Sequence, residues 1–234
     1  MNASMNEGHR ERLRKRFENE GLDYFEPHEV IELLLFFVIP RGNVNHTAHA
    51  LIQRFRSIRG VFHASVKELM EVDGIGPQAA FFLKLIPAVC RRYMISVEQD
   101  KFLLPLNSSE RIRQYVAPHF VGRTVETLFL LCLNNSGLPI SCNYISEGVA
   151  NASLVDVRKI MEIVVSSNAV AVALCHNHPD GLAFPSQEDI ELTERIRDLL
   201  APVGVTLVDH LVFSGDDCVS LFDSDLYLPF PNEA

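Results

Sequence analysis

The chain has 234 residues, 47% of them hydrophobic and 22% charged, which suits one large or two small globular domains and excludes a disordered protein. No apolar run approaches the roughly 20 residues of a membrane span, no signal peptide is recognisable, and the five cysteines form no CxxC pair, so we expect a cytoplasmic protein with reduced thiols and no membrane partner. The net charge of −9 falls entirely within residues 101–234, which excludes non-specific nucleic-acid binding by this half, whereas residues 1–100 are neutral.

The first hundred residues have helical periodicity. Residues 9–20 combine a cluster of cations with an apolar stripe, which indicates a basic amphipathic helix. Its cations either contact phosphate or only face solvent. A buried helix is predicted over residues 30–39, ended by Pro40, and a third over residues 45–55. We therefore predict an all-helical domain at residues 1–100.

A helix, a tight turn and a second helix are predicted around Gly74, Ile75 and Gly76, with the second helix ending near residue 94. Two glycines allow a tight turn and leave amides free at a helix N-terminus, where a phosphate can bind. The pattern resembles the helix-hairpin-helix module of DNA-binding proteins, which implies that these three residues contact DNA. That module usually has a cation after the second glycine, and residues 77–79 supply none. A hairpin that only packs is the alternative.

Residues 96–108 break the helical pattern and contain Pro105, so we expect the connection between domains there and a second domain at residues 108–228. Alternating and continuous apolar runs then predict strands at 125–133, 138–146, 169–175, 205–214 and 218–222, and helices at 109–116, 153–167 and 186–200. The expected fold class is α/β, with a small helical domain followed by a mixed sheet against which helices pack.

Side chains suited to metal binding are concentrated at residues 176–189. His176 and His178 are two apart at the end of a predicted central strand, so they point to the same face. Ser186 is the predicted N-cap of the next helix, and Asp189 in its first turn can reach both imidazoles if the loop folds back. Two histidines and a carboxylate suit a catalytic zinc, whose open fourth position holds a water with a pKa of about 7. A plain helix cap and a chance histidine pair are the alternative.

The spacing His-x-His, seven residues, Ser-x-x-Asp is the JAMM signature of the JAB/MPN metallopeptidases, and its context resembles their bacterial RadC branch. The motifs that carry this resemblance are GHRERL at 8–13, IELLL at 31–35, GIG at 74–76, ISEG at 145–148, DVRKI at 156–160, HNHPxGxxxPSxxD at 176–189 and VDH at 208–210. The resemblance implies a JAB/MPN (cytidine-deaminase-like) fold in the second half. It also implies that His176, His178 and Asp189 bind Zn²⁺ and that Ser186 helps to hold the tetrahedral oxyanion. Asp180 departs from the family, which mostly has serine there.

The resemblance further requires an upstream glutamate as general base. Glu126 matches the glutamate at the start of the first strand of RadC-type domains, and a carboxylate that begins an apolar strand is unusual unless it is used. Glu147, in a Ser-x-Gly turn, is the alternative, and we favour Glu126. The pair Asp209-His210 is a candidate for supporting a ligand histidine, with plain burial in the sheet as the alternative.

Two functions follow from the resemblance. In the first, the protein is a zinc metallopeptidase or isopeptidase acting on a peptide or protein, with Glu126 deprotonating the attacking water and Ser186 stabilising the oxyanion. In the second, it is a DNA-binding accessory protein of DNA repair or recombination, acting through residues 1–100, and its metal site is not catalytic. Both hold if DNA binding only localises the hydrolase.

Overall fold

The computed structural model describes residues 3–101, 104–148 and 155–224, and the chain divides into two compact units, Met1–Cys90 and Arg91–Ala234. The predicted fold class is confirmed, because a helical N-terminal region precedes a mixed five-stranded sheet. The domain limits predicted at 1–100 and 108–228 stay a prediction. Residues 225–228 of the second predicted domain lie outside the described residues. None of the described helices combines the length and the apolar character that crossing a membrane requires.

Short helices form the first unit around one apolar core. They are α1 (Ala3–Glu20), α2 (Pro27–Leu35), α3 (Asn45–Phe55), α4 (Ile58–His63) and α5 (Val66–Met70), followed by the start of α6 (Pro77–Lys101). Side chains from α2, α3, α5 and α6 are completely buried in this core, among them Leu35, Leu51, Leu69 and Leu83. Helix α3 begins and ends at the residues predicted from the sequence, 45 and 55.

Two predicted helix ends differ from the structure. Helix α2 ends at Leu35 rather than at residue 39, and the amides of Phe37 and Val38 bond to carbonyls three residues back. Pro40 disfavours the α conformation in the residue before it, which tightens this last turn. Helix α6 continues to Lys101, past the predicted end and into the predicted connection, because no glycine or proline interrupts the chain between Pro87 and Pro105.

The second unit is built on a sheet with the strand order β2-β1-β3-β4-β5. After α7 (Ser109–Val116) its elements are β1 (Thr127–Leu133), β2 (Pro139–Glu147), α8 (Val157–Ser167), β3 (Ala171–Asn177), α9 (Gln187–Leu200), β4 (Thr206–Ser214) and β5 (Asp217–Ser220). Strand β3 lies in the middle, antiparallel to β1 and parallel to β4. The start predicted for α8, at residue 153, lies outside the described residues.

Both faces of the sheet are covered, so the central strand β3 is buried. One face packs against α8 and α9 through side chains such as Leu174 and Ile196, and the other packs against α7 through side chains such as Cys175 and Leu211. Cys175 therefore lies on the face opposite its neighbour His176, as the alternation predicts.

The pairing of β3 with β4 contains an irregularity that sets the position of His210. Val172 pairs with Leu207, but the next residue, Ala173, pairs with Asp209, so β4 carries one extra residue. Such a bulge reverses the faces to which the following side chains point. His210 consequently lies on the α9 side of the sheet, beside Leu174, whereas Asp209 lies on the other side.

Candidate metal centre

The candidate centre forms where β3 ends beside the beginning of β1. Asn177, the last residue of β3, turns its side chain away from the two histidines, as the alternation of a strand requires. Its Oδ1 accepts the Thr127 amide at 2.9 Å, and its Nδ2 donates to the Val125 carbonyl at 3.3 Å. These two bonds hold the chain on both sides of Glu126 against the end of β3.

The loop from His178 to Ser186 folds back, which is the condition under which Asp189 can reach the two imidazoles. The His178 amide donates to the Phe213 carbonyl at 2.7 Å, and the Ser214 hydroxyl donates to the Gly181 carbonyl at 2.7 Å. A Cβ at Gly181 would lie 3.3 Å from the Cβ of His178, so this position favours glycine. The loop is therefore tied to the end of β4 and leads directly into α9.

His176, His178 and Asp189 converge. The Nε2 atoms of the two histidines are 2.9 Å apart. Asp189 Oδ1 is 3.0 Å from His176 Nε2, and Asp189 Oδ2 is 3.5 Å from His178 Nε2. The structure thus brings together the three side chains for which the JAMM signature predicts metal binding.

Ser186 meets Asp189 in a capping box at the start of α9. The Ser186 hydroxyl and amide donate to Asp189 Oδ2 at 2.7 and 2.8 Å, and the Asp189 amide donates back to the hydroxyl at 3.2 Å. The helix-cap interpretation of Ser-x-x-Asp is therefore correct, and it coexists with the convergence on the histidines. The cap fixes the Asp189 carboxylate in one orientation.

The electrostatics of the centre favour an ionised Asp189. Burial raises the pKa of Asp189, but hydrogen bonds from the protonated rings of His176 and His178 outweigh it and hold this pKa far below its usual range. The bond to Asp189 also raises the pKa of His178, against burial, and the charge of Glu126 adds to this increase. The negative charge is thus in place for a cation before any ligand binds.

Glu126 and Glu147 occupy different surroundings. Glu126 lines a cavity of about 880 Å³ together with His176, His178, Ser186 and Asp189. Asp180, the departure from the family pattern, also lines it. Glu147 at the end of β2 instead lies 3.7 Å from the Arg123 guanidinium and is not among the residues described around this cavity.

Two further buried side chains continue the site beneath His176. His210 Nε2 is 2.9 Å from His176 Nδ1, and Thr193 Oγ1 is 2.6 Å from His210 Nδ1. Both are completely buried, and burial lowers the pKa of His210 well below its usual value. Of the two interpretations of Asp209-His210, support of a ligand histidine fits His210, and plain burial fits Asp209. Thr193 was not predicted, because a threonine inside a helix carries no signal of its own in the sequence.

The donor atoms fit a zinc ion. The His178 ring places Nδ1 3.1 Å from the Leu182 carbonyl, which can only accept, so a neutral ring carries its hydrogen on Nδ1 and a lone pair on Nε2. That lone pair faces a carboxylate and a second imidazole nitrogen. Two ligands of a tetrahedral zinc lie about 3.3 Å apart, and the three separations here are 2.9, 3.0 and 3.5 Å. His176, Asp189 and His210 form another group whose donor atoms all lie within 4.8 Å of one another.

The predicted DNA-contacting residues belong to the helical unit. Gly74 has a φ of +85°, and Gly76 directly precedes α6. The Ile75 side chain is buried in the helical core, so only its backbone is available to a phosphate. DNA contact by this turn stays a prediction.

The family model described as RadC-like JAB domain matches residues 106–226, which include every residue of the candidate centre. The chain is also 32% identical over 231 residues to UPF0758 protein FN0909 of Fusobacterium nucleatum subsp. nucleatum, covering 97% of this chain and 100% of that protein. The fold and the site define a JAB-type domain with a candidate metal centre. The chain belongs to the RadC family, as its motifs predict.

Proposed function

We propose that this protein is a zinc-dependent hydrolase of peptide or isopeptide bonds, with a protein or peptide as substrate. The observation that carries the proposal is the convergence of His176, His178 and Asp189 in a cavity that Glu126 also lines. Three protein ligands leave one position of a tetrahedral zinc open, as catalytic zinc sites require. A site that only stabilised the fold would have four protein ligands.

His176, His178 and Asp189 would hold the ion through two Nε2 atoms and one carboxylate oxygen. The ion supplies Lewis acidity, which polarises the substrate carbonyl and lowers the pKa of water to about 7. Asp189 keeps one donor on Oδ2, the Ser186 amide, whether or not the Ser186 hydroxyl also donates to it. The orientation of the carboxylate is therefore independent of that hydroxyl.

Glu126 is the proton carrier in this proposal. Its carboxylate takes a proton from the attacking water and returns it to the leaving amine. It is placed by Asn177, whose side chain bonds to the backbone on both sides of it. The charge of Glu126 contributes to the raised pKa of His178, which supports a position of this carboxylate near the proposed ligands.

Ser186 has the second role. Ser186 lines the cavity, and its hydroxyl donates to Asp189 Oδ2 at 2.7 Å. Rotation about its side-chain bond turns that hydrogen towards the substrate, where it would stabilise the oxyanion of the tetrahedral intermediate. The Ser186 amide meanwhile keeps its own bond to Asp189.

The test compares three single-residue variants with the wild type, two at glutamates and one at a histidine. Zinc content and cleavage of a mixed library of peptides and lysine-isopeptides are measured by mass spectrometry. Glu126→Gln should retain zinc and lose cleavage, whereas His178→Ala should lose both. Glu147→Gln is the matched control, because Glu147 pairs with Arg123, and it should retain both. Cleavage by Glu126→Gln at the wild-type rate would refute the assignment.

A further inference from the structure

The buried contacts beneath His176 determine which nitrogen of each ring carries a hydrogen. Thr193 Oγ1 is 2.6 Å from the Asp189 backbone carbonyl, one turn earlier in α9. A carbonyl only accepts, so the single hydroxyl hydrogen of Thr193 points to it. Towards His210, 2.6 Å away, the same oxygen can therefore only accept, and His210 Nδ1 must carry a hydrogen.

The same reasoning extends to the candidate ligand. A neutral His210 with its hydrogen on Nδ1 presents a lone pair on Nε2. That atom is 2.9 Å from His176 Nδ1, so His176 Nδ1 must donate. A neutral His176 then has its lone pair on Nε2, the atom that faces Asp189 and His178. Two hydrogen bonds thus connect a backbone carbonyl of α9 to the metal-facing nitrogen.

We propose that Thr193 and His210 are positioning residues that fix the tautomer and the orientation of His176, and thereby set the zinc affinity of the centre. This inference rests on the proposed metal site but not on the hydrolytic reaction. Partners of this kind are worth about 10–100-fold in metal affinity. Both side chains are completely buried, so water cannot replace either bond.

A direct ligand role for His210 is the competing assignment, because the donor atoms of His176, Asp189 and His210 lie within 4.8 Å of one another. Both ring nitrogens of His210 already have partners, Thr193 and His176. To bind an ion, His210 would have to release His176 Nδ1. The Nε2 of His176 is also the atom nearest to both His178 and Asp189, on the other edge of the ring.

The bulge in β4 makes this arrangement possible. Without the extra residue between the pairs Val172–Leu207 and Ala173–Asp209, the side chain on the α9 side would be Asp209. A carboxylate there would bring a second negative charge against Asp189 and would have no hydrogen to offer Thr193. The irregular register therefore places a neutral ring where the tautomer of His176 is determined.

The experiment measures zinc affinity of the full chain by competition with a chromogenic chelator. Thr193→Val and His210→Leu should each weaken zinc binding by about 10–100-fold. Thr193→Ser keeps the hydroxyl, and His210→Gln keeps an acceptor for His176 Nδ1, so both should stay close to the wild type. Ile196→Ala is the control for plain destabilisation, since Ile196 is equally buried on α9 and lies in the apolar cluster.

A second readout needs neither zinc nor a substrate. Long-range ¹H–¹⁵N spectra of the metal-free protein should show His176 with its hydrogen on Nδ1, and Thr193→Val should move it towards Nε2. Unchanged zinc affinity and an unchanged tautomer in Thr193→Val would overturn the proposal. So would equal weakening in Ile196→Ala, or loss of binding in His210→Gln as complete as in His210→Leu. A wild type that binds no zinc would instead contradict the proposed function, and the spectra would still test the tautomer.

Discussion

Each unit of the molecule buries a carboxylate, and the two differ in what faces it. In the helical unit, Glu32 is 1% exposed, with the Asn45 side-chain amide 2.8 Å from Oε2 and His9 Nε2 3.0 Å from Oε1. The amide is a donor. The His9 side chain is 40% exposed, so water can satisfy its other nitrogen while Nε2 donates. Glu32 thus receives two hydrogens.

Asp189 in the sheet unit faces two imidazoles whose other nitrogens already carry the hydrogen. His178 uses its Nδ1 hydrogen on the Leu182 carbonyl, and His176 has its Nδ1 against His210. When the rings are neutral, lone pairs and a carboxylate meet at one point, which is unfavourable unless a proton or a metal ion lies among them. The fold alone explains Glu32, whereas Asp189 and its two neutral rings are stable together only with a proton or a metal ion among them.

The largest expected effect is a loss of zinc affinity on substitution of Asp189, which should have no counterpart at Glu32. Asp189→Asn should weaken zinc affinity by more than about 100-fold, because a ligand is worth more than an outer partner. The asparagine oxygen can still accept from Ser186, so the start of α9 should remain intact. Chelator competition and the zinc-dependent rise in Tm measure the change. Zinc binding by Asp189→Asn at wild-type strength would remove the distinction between the two carboxylates.

The converse prediction concerns Glu32. Glu32→Leu removes the acceptor for Asn45 and His9, and we expect a loss of about 1.5–3 kcal/mol in the free energy of unfolding, the value of hydrogen bonds to a charged group. Zinc affinity should stay at the wild-type value. Urea unfolding measures the loss, and Glu32→Gln, which retains both contacts, should lose less. If Glu32→Leu is as stable as the wild type, the hydrogen bonds from Asn45 and His9 to Glu32 do not stabilise the fold.

The part of the site that follows from the sequence is local. Two residues of spacing in a strand put His176 and His178 on one face, and a Ser-x-x-Asp cap puts Asp189 at the start of α9. Two helix ends were predicted wrongly, since α2 ends at Leu35 and α6 at Lys101. A helix end is also a local property, but several backbone conformations compete there at small differences in free energy.

The sequence marks the pair Asp209-His210 as a candidate for supporting a ligand histidine, but which of the two reaches His176 depends on register. His210 reaches His176 only because β4 carries one extra residue, and nothing in the apolar alternation of residues 205–214 marks that residue. Thr193 reaches His210 only because α9 packs on this face of β4. The register between β3 and β4 and the packing of α9 on β4 both depend on residues far apart in the chain. The periodicity of a single sequence therefore does not predict them.

The smallest expected effect concerns the Gly74–Gly76 turn of the helical unit. At Gly74 φ is +85°, and an added Cβ would lie 2.5 Å from Thr47 Oγ1, so Gly74→Ala should lose about 1–2 kcal/mol in the free energy of unfolding. Gly76 has nothing within 4 Å of such a Cβ and no positive φ. Gly76→Ala should therefore unfold at nearly the same urea concentration as the wild type.

This pair also sharpens the comparison between the units. If the close approach of Gly74 to Thr47 is the whole reason for this turn, neither variant should change duplex DNA binding at low salt, measured by fluorescence anisotropy on the folded full chain. If the amides before α6 hold a phosphate, Gly76→Ala should weaken DNA binding without loss of stability, because its Cβ would occupy open space beside those amides. The second result would mean that the helical unit also has residues whose arrangement is explained by a bound ligand, as Asp189 is in the sheet unit.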